Sequence, residues 1–229
     1  MHFRGCAKEQ NLLARSYHSG ETQDALEFLE HLHRTYPRAK LSAVGYSLGA
    51  NMLLKLVGEM GKNSLLSKAV AVSAPMELEA CASYINHGFS RFYQSLLVKE
   101  LNKSLAMKYA KHPMQSLIGL EKKEVYKLKS FWEFDAAYTA PIHGFTSAKD
   151  YYAKSSAKQF LQKISITTLI IHALDDPFMP ASILPQQEEV PKNVSLEISE
   201  NGGHVGFVGG SLFKPEYWLE KRIREFLLT

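Results

Sequence analysis

The pentapeptide Gly45-Tyr46-Ser47-Leu48-Gly49 lies directly after a short apolar run, Leu41-Ser42-Ala43-Val44, and directly before a helical pattern from Leu48 to Met60. A serine forced into a tight strand-to-helix turn presents its hydroxyl at the end of a sheet. The glycines on either side let neighbouring backbone come close without a Cβ clash. The bland alternative is a glycine-rich turn in which Ser47 only caps the helix. Residues far downstream decide between the two.

Ile166-Thr167-Thr168-Leu169-Ile170-Ile171-His172 is short, apolar and β-branched, as a buried parallel strand should be. It runs into Leu174-Asp175-Asp176-Pro177-Phe178-Met179-Pro180, so two carboxylates follow a strand end, where open α/β sheets bind ligands. Read in isolation, Asp176-Pro177 is also an ordinary corner of a turn. Val194 to Ile198 alternates like a last strand. It leads to Asn201-Gly202-Gly203-His204-Val205-Gly206-Phe207, a glycine-rich loop that frees His204 to reach across the sheet top. The chain order serine, aspartate, histidine is that of the α/β-hydrolases, and differs from the orders of the chymotrypsin and subtilisin folds.

The chemistry calls for these three residue types. A serine hydroxyl is a poor nucleophile until a base takes its proton, and a histidine can both accept and return it. A carboxylate fixes the imidazole tautomer and stabilises the imidazolium formed during attack. Residue type does not separate Asp175 from Asp176. Consecutive side chains point different ways, so only one faces His204, and Asp176 is the preferred candidate.

Eight segments together resemble the YheT-like hydrolases, family four of the AB hydrolase superfamily. They are Phe3-Arg4-Gly5-Cys6, Tyr17-His18-Ser19-Gly20-Glu21-Thr22, Val44 to Met52, Ala74-Pro75, Gly88-Phe89-Ser90-Arg91, Asp150-Tyr151-Tyr152, Asp175 to Phe178 and Gly202 to Phe207. The resemblance runs from residue 3 to about residue 218. It implies an α/β-hydrolase with carboxylesterase activity, with Ser47, Asp176 and His204 as charge-relay residues. The four residues from Asp176 to Pro180 match the spacing of the acid loop in many such hydrolases. No particular substrate is implied.

The chain departs from that pattern in one respect. Only 46 residues precede Ser47, whereas the nucleophile of an α/β-hydrolase follows the fifth strand. The family's first strands and its His-Gly oxyanion loop are therefore expected upstream of residue 1, with Met1-His2-Phe3 the end of one strand. His87-Gly88 and His143-Gly144 follow the nucleophile and cannot fill that loop's place. The backbone N–H of Leu48 remains as one oxyanion donor. The strand at Leu41 to Tyr46 is expected to be an apolar edge prone to association. The runner-up reading is of a different class: a non-catalytic or barely active fragment or binding protein with an incomplete oxyanion hole.

The remaining elements alternate: helices near 22–36 and 48–61, a strand near 68–73, a helix near 181–189, a strand near 194–199 and a helix near 215–228. This predicts an α/β-hydrolase fold with a mostly parallel sheet. Residues 1–74 are expected to form hydrolase core with the elbow, 75–161 a helical cap insertion, and 162–229 core with the acid and histidine loops. In the cap, Phe89, Tyr93, Leu97, Leu101 and Leu105 recur every four residues, a stripe expected to form cap core. From Lys99 to Lys129 there are eight lysines against Glu100, Glu121 and Glu124. That is a solvated face by default, and a contact for anionic lipid in the sharper reading.

A net charge of +4, with no recognition motif or aromatic platform beside the lysines, points away from nucleic acid. Cys6 and Cys81 make neither a disulfide framework nor a zinc site. No phosphate loop or G-x-G-x-x-G is present, so neither cofactor nor metal is expected. No leader or apolar run of membrane-spanning length is visible, and the expectation is a cytoplasmic enzyme acting on a small-molecule ester, short-chain or lipid-like. His31 and His33 are expected on a helix surface, and His172 to be packed or hydrogen-bonded within its strand.

Overall fold

The computed structural model describes every residue except Lys8 and Leu212. In chain order the elements are α1 (Gln23–Thr35), β1 (Leu41–Tyr46), α2 (Leu48–Met60) and β2 (Leu66–Val72). Helices follow without strands: α3 (Leu78–Tyr84), α4 (Ser90–Lys108), α5 (Met114–Ile118), α6 (Lys122–Val125), α7 (Phe131–Phe134), α8 (Ala140–Ile142) and α9 (Ala148–Ser155). The chain closes with β3 (Thr167–Ala173), β4 (Val194–Ser199), β5 (Val208–Ser211), β6 (Lys214–Tyr217) and α10 (Trp218–Leu228).

Two compact units result, and the first combines Ser19–Glu77 with Ser156–Thr229. Its sheet is parallel throughout in the order β1-β2-β3-β4. Parallel strands covered on both faces need apolar side chains on both, and β2 and β3 meet that need. Val70 and Val72 join Leu169, Ile171, Ala173 and Phe207 in a core cluster closed by Leu219 and Ile223 of α10. The alternating residues Ala69 and Ala71 are fully buried as well and face the opposite side. Helix α2 packs on β1 and β2, and nine of its residues are buried, from Ala50 through Gly58. Buried Asn51 anchors it: Nδ2 donates to the Ser19 carbonyl at 2.9 Å, and Oδ1 accepts from the Ala157 N–H at 2.9 Å. Among the described residues strand β1 pairs with β2 alone and is an edge, as the sequence leads one to expect.

The second unit joins Met1–His18 to Leu78–Ser155. This differs from the expected division, which put the first residues with the core and the insertion at 75–161. Two buried side chains of the helical insertion hold the N-terminal loop. Lys108 Nζ donates to Asn11 Oδ1 at 2.8 Å and to the Leu13 carbonyl at 2.9 Å. Tyr138 Oη donates to the Ala14 carbonyl at 2.9 Å. Tyr152 reaches Asp135. Phe3 stacks on Tyr17 with ring centres 4.9 Å apart, and Met1-His2-Phe3 pairs with no strand among the described residues.

Three further expectations are corrected. The helix near 181–189 is two 3-10 turns, Ala181–Ile183 and Gln187–Glu189. Pro185 between them holds Leu184 extended at ψ 134° and breaks the run. The terminal helix starts at Trp218, because Lys214–Tyr217 pairs antiparallel with Val208–Ser211. The stripe Phe89-Tyr93-Leu97-Leu101-Leu105 is core only at its C-terminal end, where Leu101 packs partly buried against the cluster that holds Leu105, while Phe89, Tyr93 and Leu97 are exposed. Of these five only Leu105 is buried, while Ser90, Gln94, Val98, Asn102 and Ala106 form the inward face. Lys108 is buried too, and so leaves the lysine-rich face.

Candidate active site

Ser47 follows β1 and precedes α2, with φ 50° and ψ −120°, a conformation that a residue with a side chain rarely adopts. Its own N–H donates to the Val72 carbonyl at 2.8 Å, extending the ladder past the strand end. The helix turns back so tightly that a Cβ on Gly45 would lie 2.5 Å from the Gly49 carbonyl oxygen and 2.7 Å from Ala50 Cα. Only glycine fits there. The Leu48 N–H opens α2 and has no acceptor inside the helix.

His204 sits in the loop after β4. Gly203 takes φ 61° before it. A Cβ on Gly202 would strike the Phe207 ring at 2.7 Å. Thus Gly202 lets Phe207 into the core beneath the loop. His204 Nε2 lies 2.8 Å from Ser47 Oγ, and His204 Nδ1 lies 2.9 Å from Asp176 Oδ2. The Phe178 ring lies 4.6 Å from the imidazole, centre to centre.

The two aspartates after β3 separate cleanly. Asp176 is buried, and its Oδ1 accepts the Phe178 N–H at 2.9 Å, leaving Oδ2 to His204. Asp175 is exposed and accepts the Gly203 N–H at 2.8 Å. The first acid therefore holds the histidine loop and the second meets the histidine. All three candidates, Ser47, Asp176 and His204, converge within the sheet-bearing unit.

Two neighbours carried no sequence signal. His172 is packed within its strand, as expected, and is buried with neither ring nitrogen hydrogen-bonded. Its Nε2 lies 3.9 Å from Asp176 Oδ2. Burial, first, and then the charge of His204 hold its pKa below the usual imidazole range, against the pull of Asp176. Ser73, at the end of β2, has φ 51° and a buried hydroxyl without a partner. A shallow depression of about 670 Å³ along α10, lined by Tyr217, Glu220, Lys221, Arg224, Glu225 and Leu228, includes none of the three candidates.

Residues 1–211 match the family model described as alpha/beta hydrolase fold. Over its full length the chain is 47% identical to "Putative esterase YheT" of Escherichia coli (strain K12), covering 67% of that protein. The chain belongs to the α/β-hydrolase fold family, in its YheT-like branch. A more distant member, "Phospholipase ABHD3" of Mus musculus, is 29% identical over 225 residues, which are 98% of this chain and 54% of that protein. The chain thus spans about half to two-thirds the length of these relatives. The structure of an alpha/beta fold family hydrolase from Bacillus anthracis str. Sterne superposes with a TM-score of 0.52 at 15% identity, covering 98% of this chain and 78% of that one. That likeness concerns the hydrolase fold alone. No helix among the described residues is long and apolar enough to cross a membrane.

Proposed function

We propose that this chain hydrolyses carboxylic esters by a Ser47–His204–Asp176 relay. The observation that carries the reading is the 2.8 Å contact between Ser47 Oγ and His204 Nε2 at a serine held at φ 50°. Ser47 Oγ attacks the ester carbonyl while His204 Nε2 takes its proton, and Asp176 holds the other side of the ring and stabilises the imidazolium. The Leu48 N–H donates to the developing oxyanion. His204 then returns the proton to the departing alcohol. A water activated by His204 attacks the acyl-enzyme, releasing the acid and restoring Ser47.

Short acyl esters and lipid-like esters are the substrate classes to try first. The relative named as a phospholipase supports including the second. A slower variant of the same reading is favoured by β1, which has a free edge among the described residues on the side where a loop with a second oxyanion N–H would lie. Loss of one donor lowers turnover by about a hundred- to a thousand-fold. Labelling with a fluorophosphonate tests the nucleophile independently of turnover. Ser47 should be modified, and Ser47→Ala should abolish the signal. Labelling that persists in Ser47→Ala would refute the assignment.

A further inference from the structure

Helix α4 is turned inside out by the usual rule. Its outward face carries Phe89 (at the N-cap), Phe92, Tyr93, Leu96, Leu97 and Met107, all exposed, with Phe89 at 74%. Phe89 packs edge-on to Tyr93 at 5.4 Å and stacks near Phe92 at 6.2 Å, so the rings form one cluster. The inward face holds polar groups with fixed partners. Gln94 Nε2 donates to Asn86 Oδ1 at 2.8 Å, and its Oε1 accepts the Phe131 N–H at 3.0 Å. Asn102 Nδ2 donates to the Leu128 carbonyl at 3.0 Å, and Lys108 is tied to Asn11 and Leu13. Those bonds lock the rotation of the helix. Turning it to bury the rings would break them and strand buried polar groups. The exposure of the rings is therefore built into the helical unit.

Lys99 and Lys103 are exposed beside these rings on the same helix, with one acid, Glu100, 3.9 Å from Lys103. Protein–protein interfaces favour aromatics but exclude lysine from their centres. A lipid surface accepts both, since rings settle at the headgroup level while lysine stems lie along apolar surface with their charges in water. From Phe89 to Met107 the face runs about 27 Å, a helix lying in the plane of the surface.

We propose that the outward face of α4 docks this protein on an anionic lipid surface, with Phe89, Phe92 and Leu96 entering the headgroup layer and Lys99 and Lys103 meeting its negative charge.

Flotation of the full chain with phosphatidylcholine vesicles, with and without added phosphatidylserine, tests this. The protein should float with the phosphatidylserine vesicles and weakly or not at all with pure phosphatidylcholine. Phe89→Ser with Phe92→Ser should weaken binding roughly tenfold or more. Lys99→Glu with Lys103→Glu should lower it and flatten its salt dependence. Phe213→Ser, which removes a ring that is 95% exposed on another unit, should change nothing. Ser47→Ala should bind as the parent does, so a failure of docking and a failure of hydrolysis are read separately. Circular dichroism checks that each variant is folded. The proposal is overturned if neither vesicle binds, if folded α4 variants bind as the parent does, or if light scattering shows Phe89→Ser with Phe92→Ser dissolving an oligomer, which would make a second copy the occupant.

Discussion

Asp175 and Asp176 are neighbours in sequence and grip neighbouring residues of one loop by different means: Asp175 Oδ1 accepts the Gly203 backbone N–H at 2.8 Å, and Asp176 Oδ2 meets the His204 side chain at Nδ1 at 2.9 Å. Their substitutions should therefore part company. Asp176→Asn exchanges an acceptor for a donor toward Nδ1 and favours the wrong tautomer, so turnover should fall by up to about four orders of magnitude. Asp175→Asn keeps an oxygen that can accept from Gly203. Loss of about 1 kcal/mol from that bond would cost less than about tenfold. Ester hydrolysis by both variants checks the ranking, and the reverse order would move the acid role to Asp175.

Gly45 is where the elbow is least tolerant. A Cβ there meets only backbone, the Gly49 carbonyl and Ala50 Cα, which cannot rotate away. Gly45→Ala should destabilise the chain by about 1–3 kcal/mol, the usual cost of overpacking, and suppress fluorophosphonate labelling. Gly209→Ala is the companion, since a Cβ there meets nothing within 4 Å. Thermal melts of the pair should differ by several degrees. Equal melts would mean that the turn yields.

The elbow, the acid loop and the histidine loop were legible in sequence because each is a local arrangement. Two glycines, one strand end and one helix start specify where Ser47 points. The choice between Asp175 and Asp176 was not legible by type, because it depends on Phe178 and Gly203 claiming particular carboxylate oxygens. The phase of α4 was not legible either. A four-residue apolar stripe marks a helix, but which face is covered is decided by distant partners. Gln94 reaches Asn86 and Phe131, and Asn102 reaches Leu128. The placement of Met1–His18 with the helical unit rests likewise on Lys108 and Tyr138, about a hundred residues away. Pro185 was a visible stop inside the expected helix at 181–189.

His172 is buried without a hydrogen bond at either ring nitrogen, and that burial holds its pKa below the usual imidazole range. A histidine with a lowered pKa in the fold leaves the unfolded chain binding more protons. Its stability contribution is whole above the unfolded value, about 6.5, and is lost as pH falls below it. His172→Leu, similar in volume and without polar atoms, should melt at or above the parent temperature at pH 7. The gap should widen in the variant's favour as pH falls from about 6.5 toward 5. A variant that melts well below the parent at pH 7 would give His172 a partner or role that its surroundings do not reveal.

Asp135 supplies the opposite sign in the helical unit. It is partly buried in the π-helical turn Asp135–Thr139, accepting hydrogen bonds from Thr139 Oγ1 at 2.6 Å and Tyr152 Oη at 2.7 Å. Desolvation outweighs both donors and raises its pKa from 3.8 to about 6. The folded state therefore binds a proton more readily than the unfolded chain does. Its stability contribution is full below about pH 4 and is lost as pH rises through about 6, a span of up to about 3 kcal/mol. Asp135→Asn removes the titration while keeping an oxygen for at least one hydroxyl. Denaturant midpoints of parent and variant, taken as a difference at each pH so that other carboxylates cancel, should drift in the variant's favour between about pH 4 and 6 and then level. A difference that stays flat across that window, or drifts the other way, would mean that Thr139 and Tyr152 hold the carboxylate ionised in spite of its burial.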